Sequence, residues 1–213
     1  MTSNITKSDP MQNMHSIQNI IGSKIGLLGG SFNPPHSGHI NISLRVLKKF
    51  NLSRVYWLVT PCSPHKYSDS YESLERRIEK CLQITKNFSN KIKVLDIEKN
   101  QRTYFSSDTL QRIKRMNPDF ELYWIIGCDN LLSIHKWHKW KRIFEISHIV
   151  VCERNDISLK IMNLKASFNF NPNYISNQDK IDITKKDFSV FHMKRDNISS
   201  TDLRGIIKSL FNK

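Results

Sequence analysis

Five short apolar runs recur along this chain, at Ile25–Leu28, Val55–Thr60, Ile92–Ile97, Leu122–Ile126 and His148–Cys152, and segments of helical periodicity separate them. That alternation is the pattern of βαβ units, which build a parallel sheet covered by helices on both faces. It predicts an α/β fold of the Rossmann-like, doubly wound kind. Ile40–Leu47 reads as the first helix, ending near Asn51, and Ser73–Phe88 and Ser107–Met116 read as the second and third. The third must stop before Pro118, because the residue preceding a proline is pushed out of the helical region. Further on, Asn169–Asp187 is rich in Asn, Asp, Lys and Ile with weak periodicity, and receives no element. A short strand is expected at Phe188–His192 and a helix from near Ser200 to Leu210.

Open α/β sheets bind ligands at the carboxyl ends of their strands, so the loops there carry the chemistry. The first of them is Gly29-Gly30-Ser31-Phe32-Asn33-Pro34-Pro35-His36-Ser37-Gly38-His39. Paired glycines let backbone N–H groups approach an anion closely, and a helix N-terminus adds partial positive charge. His36 and His39 stand three residues apart, on the same side of a first helical turn, where two imidazoles address one oxyanion. The loop lacks the third glycine of a dinucleotide fingerprint and the lysine of a P-loop.

The chain has 213 residues, which suits one domain over residues 23–213 with a core that needs no disulfide support. Residues 1–22 are polar, without an apolar core or an arginine, and read as an extension rather than a signal or transit peptide, with Met11 and Met14 as candidate starts. The four cysteines, Cys62, Cys81, Cys128 and Cys152, form no CxxC pair and read as reduced packing residues of a cytoplasmic protein. No apolar run is long enough to cross a bilayer. A formal charge of +14 suggests nucleic acid at first sight, yet the lysines are spread along the chain and form no basic tract. Compositional drift explains that spread, and a positive field also suits small polyphosphates.

Gly30-Ser31-Phe32-Asn33-Pro34-Pro35-His36-Ser37-Gly38-His39 resembles the GTFDPxHxGH signature of the nucleotidyltransferase superfamily, specifically of bacterial nicotinate-nucleotide adenylyltransferases. Asn197-Ile198-Ser199-Ser200-Thr201-Asp202-Leu203-Arg204 resembles the superfamily's ISSTxIR motif, a second anion cradle of hydroxyls and N–H groups where a helix starts. Between them, Pro61-Cys62-Ser63-Pro64-His65-Lys66 is similar to the family's PxxxPHK segment and Phe105-Ser106-Ser107-Asp108-Thr109-Leu110 to its YTxxTL stretch. Ile126-Gly127-Cys128-Asp129-Asn130-Leu131 is similar to IGxDxL, and Val150-Val151-Cys152-Glu153-Arg154 to VVxxR. The match runs in consistent order over roughly residues 24–211. Asn33, Ser31 and Phe105 depart from the commoner Asp, Thr and Tyr, and none of these departures strips a hydrogen-bonding group from the presumed reacting centre.

The resemblance implies a nucleotidyltransferase fold and adenylyl transfer from ATP to nicotinate mononucleotide, giving nicotinate adenine dinucleotide and pyrophosphate. It assigns His36, His39 and Arg204 to catalysis, and Gly29, Gly30, Ser31, Phe32, Gly127, Asp129, Ser199, Ser200 and Thr201 to ATP. Asn33, Lys66, Ser106, Trp137 and Arg154 fall to the mononucleotide, with Trp137 stacked on its pyridine ring. Mg2+ is expected to arrive with the triphosphate, since no carboxylate cluster suggests a protein-held metal. Asp129 also reads as a cap of the short helix behind it. Lys136-Trp137-His138-Lys139-Trp140-Lys141-Arg142 also reads as a helix packing its tryptophans on the sheet, or as a stacking surface for single strands. Other nucleotidyltransferases, with a nicotinamide mononucleotide or phosphopantetheine acceptor or a cytidylyl donor, are the rivals within the superfamily. A basic nucleic-acid-binding module is the rival from another class.

Overall fold

The computed structural model describes residues 24–60, 71–95, 105–153, 172–175 and 188–192. Strands β1 (Lys24–Gly30), β2 (Arg54–Val59), β3 (Ile92–Leu95), β4 (Glu121–Gly127), β5 (His148–Glu153), β6 (Pro172–Ile175) and β7 (Phe188–His192) form one sheet. Its order is β3-β2-β1-β4-β5-β7-β6, and every neighbouring pair is parallel. Among the described residues the helices are α1 (Ser37–Lys49), α2 (Leu74–Thr85), α3 (Ser106–Met116), α4 (Cys128–Ser133) and α5 (Trp140–Ile146).

The continuous apolar runs follow from burial on both faces of this sheet. Leu27, Tyr56, Trp124, Ile126 and Val151 share one core with α3, α4 and α5, through Leu110, Ile113, Leu131 and Phe144. Their neighbours Leu28, Trp57, Ile125 and Cys152 share another with α1 and α2, through Ile42, Val46 and Cys81. Side chains of a strand alternate sides, so both halves of each run must be apolar.

Two boundaries differ instructively from expectation. The first helix begins at Ser37 rather than Ile40 because His36 caps it. The expected second helix divides into an N-cap at Ser73, helix α2, and a tight 3-10 turn at Lys86–Phe88. One element is new: the stretch given no element carries β6, which among the described residues pairs with β7 alone. Its proline is tolerated because it opens an edge strand, where a missing ladder donor costs little. Four residues are too few to show an alternation in sequence.

The strand order runs outward in opposite directions from the β1–β4 boundary, with β2 and β3 on one side and β5 on the other. That reversal leaves a crevice at the carboxyl ends of β1 and β4. Gly30 and Gly127 are the last residues of those two strands. The expected extension before residue 23 and the expected helix after Ser200 lie outside the described residues.

Candidate active site

The loop leaving β1 turns into α1 through His36, whose extended backbone makes it the N-cap. Its Nδ1 accepts the N–H of Gly38 at 3.1 Å, and Nδ1 of His39 accepts the N–H of His36 at 3.2 Å. The result is a capping box made of imidazoles, with ring centroids 3.9 Å apart. Thus the two imidazoles cap the helix and stand side by side as the sequence spacing predicts. A ring that accepts through Nδ1 carries its proton on Nε2 when neutral, so both imidazoles are Nε2 donors. No acidic residue stands in the first turn of α1, and the positive end of the helix dipole is left for an external anion.

Behind His39 lies a firm support. Phe32 stacks on Trp57 with centroids 4.8 Å apart, and its ring also lies 4.8 Å from His39. The indole N–H of Trp57 donates to Ser43 Oγ at 2.8 Å, and that hydroxyl donates to the carbonyl of His39 at 2.8 Å. Phe32 holds a left-handed backbone, with φ of 46°, which costs a bulky residue energy and persists only where packing enforces it. Its ring is buried, so any nucleotide contact falls to its backbone.

Asn33 is buried, and its Oδ1 accepts the N–H of Glu72 at 3.2 Å. That bond orients the amide and leaves Nδ2 as a buried donor without a protein partner. A side-chain amide in this position offers a hydrogen bond, where the aspartate of the commoner motif accepts one.

The glycines have packing reasons of their own. A Cβ at Gly29 would meet the Trp124 ring at 2.8 Å, and one at Gly127 would meet Asp129 Oδ1 at 2.5 Å. Gly29 therefore makes room for a core indole, as well as for any approaching phosphate. Asp129 is the acidic residue of the first turn of α4, whose N-cap is Gly127. The carboxylate is exposed and folded back over Gly127, at the end of β4.

Ser106 opens α3, and Trp137 follows the 3-10 turn Ile134–Lys136. Lys136–Arg142 is not one helix: Trp137 is extended and Lys139 is left-handed, with φ of 47°, before α5 begins at Trp140. Both tryptophans are half-buried and lie against the core on the α3 side. Phe105 stacks on His138 with centroids 4.4 Å apart, and Lys139 pairs with Asp108 at 3.9 Å. These two contacts bring the Trp137 segment against the start of α3, where Ser106 stands.

Lys66, Arg154, Ser199, Ser200, Thr201 and Arg204 lie outside the described residues. Among the described ones, no group of three or more His, Cys, Asp or Glu side chains is placed to hold a metal. Within the stretch similar to YTxxTL, Ser107 and Thr109 are buried with unpartnered hydroxyls, one and three residues beyond Ser106, and received no role from sequence. One polar side chain near the site escapes a motif search altogether. Arg77 is fully buried on α2, and its guanidinium reaches the carbonyl of Ser31 in the glycine loop.

A parallel sheet with its order reversing between β1 and β4, and a doubly imidazole-capped helix start at that reversal, define a nucleotide-binding α/β domain. The Cytidylyltransferase-like family matches residues 27–206, and the chain belongs to that family. It is 36% identical over 183 residues to a probable nicotinate-nucleotide adenylyltransferase of Agrobacterium fabrum, covering 84% of this chain and 97% of that protein. A probable nicotinate-nucleotide adenylyltransferase of Rhizobium johnstonii is 32% identical over 186 residues, covering 86% and 92%. Among solved structures, the Plasmodium falciparum nicotinic acid mononucleotide adenylyltransferase complexed with NaAD superposes with a TM-score of 0.60 at 19% identity, covering 86% of this chain and 83% of that one. That likeness is one of fold. Among the described residues, no helix is long and apolar enough to cross a membrane.

Proposed function

We propose that this chain transfers the adenylyl group of ATP to nicotinate mononucleotide, giving nicotinate adenine dinucleotide and pyrophosphate in NAD biosynthesis. The observation that carries this is the imidazole capping box of His36 and His39 at the switch point of the sheet, in a chain similar over most of its length to nicotinate-nucleotide adenylyltransferases.

A mononucleotide phosphate already carries most of two negative charges at neutral pH, so the reaction requires no general base. Its oxygen attacks the α-phosphorus, the bond from that phosphorus to the bridging oxygen breaks, and pyrophosphate leaves with the electron pair. The obstacle is repulsion between anions, which positioned N–H donors and cations relieve. In this reading the Nε2 donors of His36 and His39, the start of α1 and Arg204 steady the phosphates, and Ser199, Ser200 and Thr201 add donors. Gly29, Gly30, Ser31, Phe32, Gly127 and Asp129 hold the ATP, with Mg2+ entering as part of that substrate. Asn33, Lys66, Ser106, Trp137 and Arg154 receive the mononucleotide. Buried reduced thiols and an ATP substrate fit a cytoplasmic setting.

The test is pyrophosphate release from ATP and Mg2+ with nicotinate mononucleotide, nicotinamide mononucleotide or phosphopantetheine in parallel. Release with the nicotinate form in clear excess over the others is expected. Release with none of them, joined to steeply salt-dependent binding of single-stranded nucleic acid, replaces the enzyme by the basic binding module.

A further inference from the structure

The buried residues of α2 are Arg77, Cys81 and Thr85, spaced so that an arginine occupies the first position of a core stripe. No ion pair among the described residues engages it. Its partners are backbone carbonyls instead: Nε donates to Glu72 O at 3.1 Å, and Nη1 donates to Ser31 O at 2.5 Å and to Thr60 O at 2.9 Å. The Tyr71 ring covers the guanidinium, its centroid 4.9 Å from Cζ.

Those carbonyls are not a random set. Ser31 belongs to the glycine loop. Thr60 directly follows β2, and both its N–H and its hydroxyl donate to Gly30 O, at 3.0 and 3.2 Å. Glu72, whose carbonyl Arg77 also holds, gives its N–H to Asn33 Oδ1. Thr60 and Tyr71 bracket residues 61–70, the stretch that contains Lys66. Both flanks of that stretch are thus fastened to Gly30–Asn33 through one buried cation and one amide.

We propose that Arg77 is a positioning residue for adenylyl transfer: by tying Ser31 to the end of β2 at Thr60 and to the approach of α2 at Glu72, it sets where the glycine loop holds the reacting phosphates. The proposal rests on the adenylyl-transfer reading above. A trans peptide plane points its C=O and the following N–H in opposite directions, so holding Ser31 O also aims the N–H of Phe32 away from Arg77. In-line displacement is sensitive to such placement, and a misplacement of about 1 Å costs on the order of 100-fold in rate. Lysine does not substitute for this arrangement, because a single ammonium lacks the rigid fork that reaches three carbonyls at once.

Arg77→Lys and Arg77→Gln test it, each checked for fold by circular dichroism and melting and assayed well below its melting temperature. Neither substitution removes a group that this reading places on a substrate, so kcat is expected to fall by about 100-fold while KM for ATP and KM for the mononucleotide each stay within about threefold. A kcat within threefold of the wild type per folded molecule, with only a lowered melting temperature, makes Arg77 a packing residue and overturns the proposal. A rise in one KM with kcat intact overturns it equally. If neither variant folds, Tyr71→Leu decides, since it uncovers the guanidinium from the half-exposed side: a several-fold loss of kcat at unchanged KM is expected, and an unchanged kcat overturns the proposal. Wild-type turnover tests the adenylyl-transfer reading, and only the ratio of variant to wild type tests Arg77.

Discussion

His39 Nδ1 accepts the backbone N–H of His36, three residues earlier, at 3.2 Å. In an ordinary capping box a Glu or Gln does this, and a carboxylate there would cancel the positive end of the helix. An imidazole satisfies the same backbone donor without adding negative charge. The cap therefore leaves the helix start positive and open to the proposed anion, which a glutamate at position 39 would prevent.

Two roles in one ring are separable by substitution. Asparagine at 39 presents an acceptor near the place of Nδ1 but nothing at Nε2, so His39→Asn is expected to keep the cap and lose the donor. Turnover should fall by about 100-fold or more, the scale of one preorganised transition-state contact, with the melting temperature within a few degrees of wild type. His39→Ala should lose both, adding roughly 1 kcal/mol of destabilisation. Wild-type turnover in His39→Asn would leave His39 a helix cap and nothing more.

Much of this arrangement is legible in sequence, because local chemistry dictates it. The runs from Ile25, Val55, Leu122 and His148 read as strands since burial on both faces demands unbroken apolar stretches, and the glycines and histidines from Gly29 to His39 carry backbone requirements that few other residues meet. What sequence hides depends on partners distant along the chain. Gly29 is small because of Trp124, and Arg77 is tolerated in a core because Ser31 and Thr60 turn their carbonyls toward it. In sequence Arg77 shows only as a cation on the apolar side of a helix. The edge strand at Pro172 is hidden for another reason: among the described residues it has a single neighbour and so little need for pattern.

Gly29→Ala should expose the first of those dependencies. The added methyl would sit 2.8 Å from the Trp124 ring in a strand with no conformational need for glycine, so the cost is overpacking, about 1–3 kcal/mol. Shortening the obstacle should return part of it. Melting of Gly29→Ala, Trp124→Phe and the double variant is expected to show a double variant more stable than the sum of the singles allows. Strict additivity would place the cost of Gly29→Ala somewhere other than Trp124.

Alkaline pH should destabilise the fold through buried acids that cannot ionise in place. Burial pushes the Cys81 thiol from an ordinary 9.0 up to about 12, with the nearby Arg77 charge opposing, and burial raises Tyr56 and Tyr123 as well. A raised native value means that the unfolded chain loses its proton first. Stability is then whole below about pH 9 and is lost as pH climbs through 12, by about 1.4 kcal/mol per unit for a single group. Thermal melts from pH 8 to 12 should fall steadily, and Cys81→Ala should start lower but fall less steeply. Parallel slopes would assign the effect to the tyrosines.

The segment 137–139 supplies the last prediction, because its observed contacts are structural while the proposed role of Trp137 is on the substrate. The Phe105–His138 stack and the Asp108–Lys139 pair fasten it to the start of α3, where Ser106 stands, and the Trp137 ring is half-buried. If the ring stacks on pyridine, Trp137→Ala removes about 1 kcal/mol or more of aromatic contact from the mononucleotide and none from ATP. KM for the mononucleotide should then rise about tenfold while KM for ATP stays put, and Trp137→Phe should restore most of the loss. The partial contact of Trp137 with the core gives the competing outcome a clear signature. Equal shifts in both constants, accompanied by a lower melting temperature, would make the indole part of the core face beneath α5 and move the pyridine pocket elsewhere.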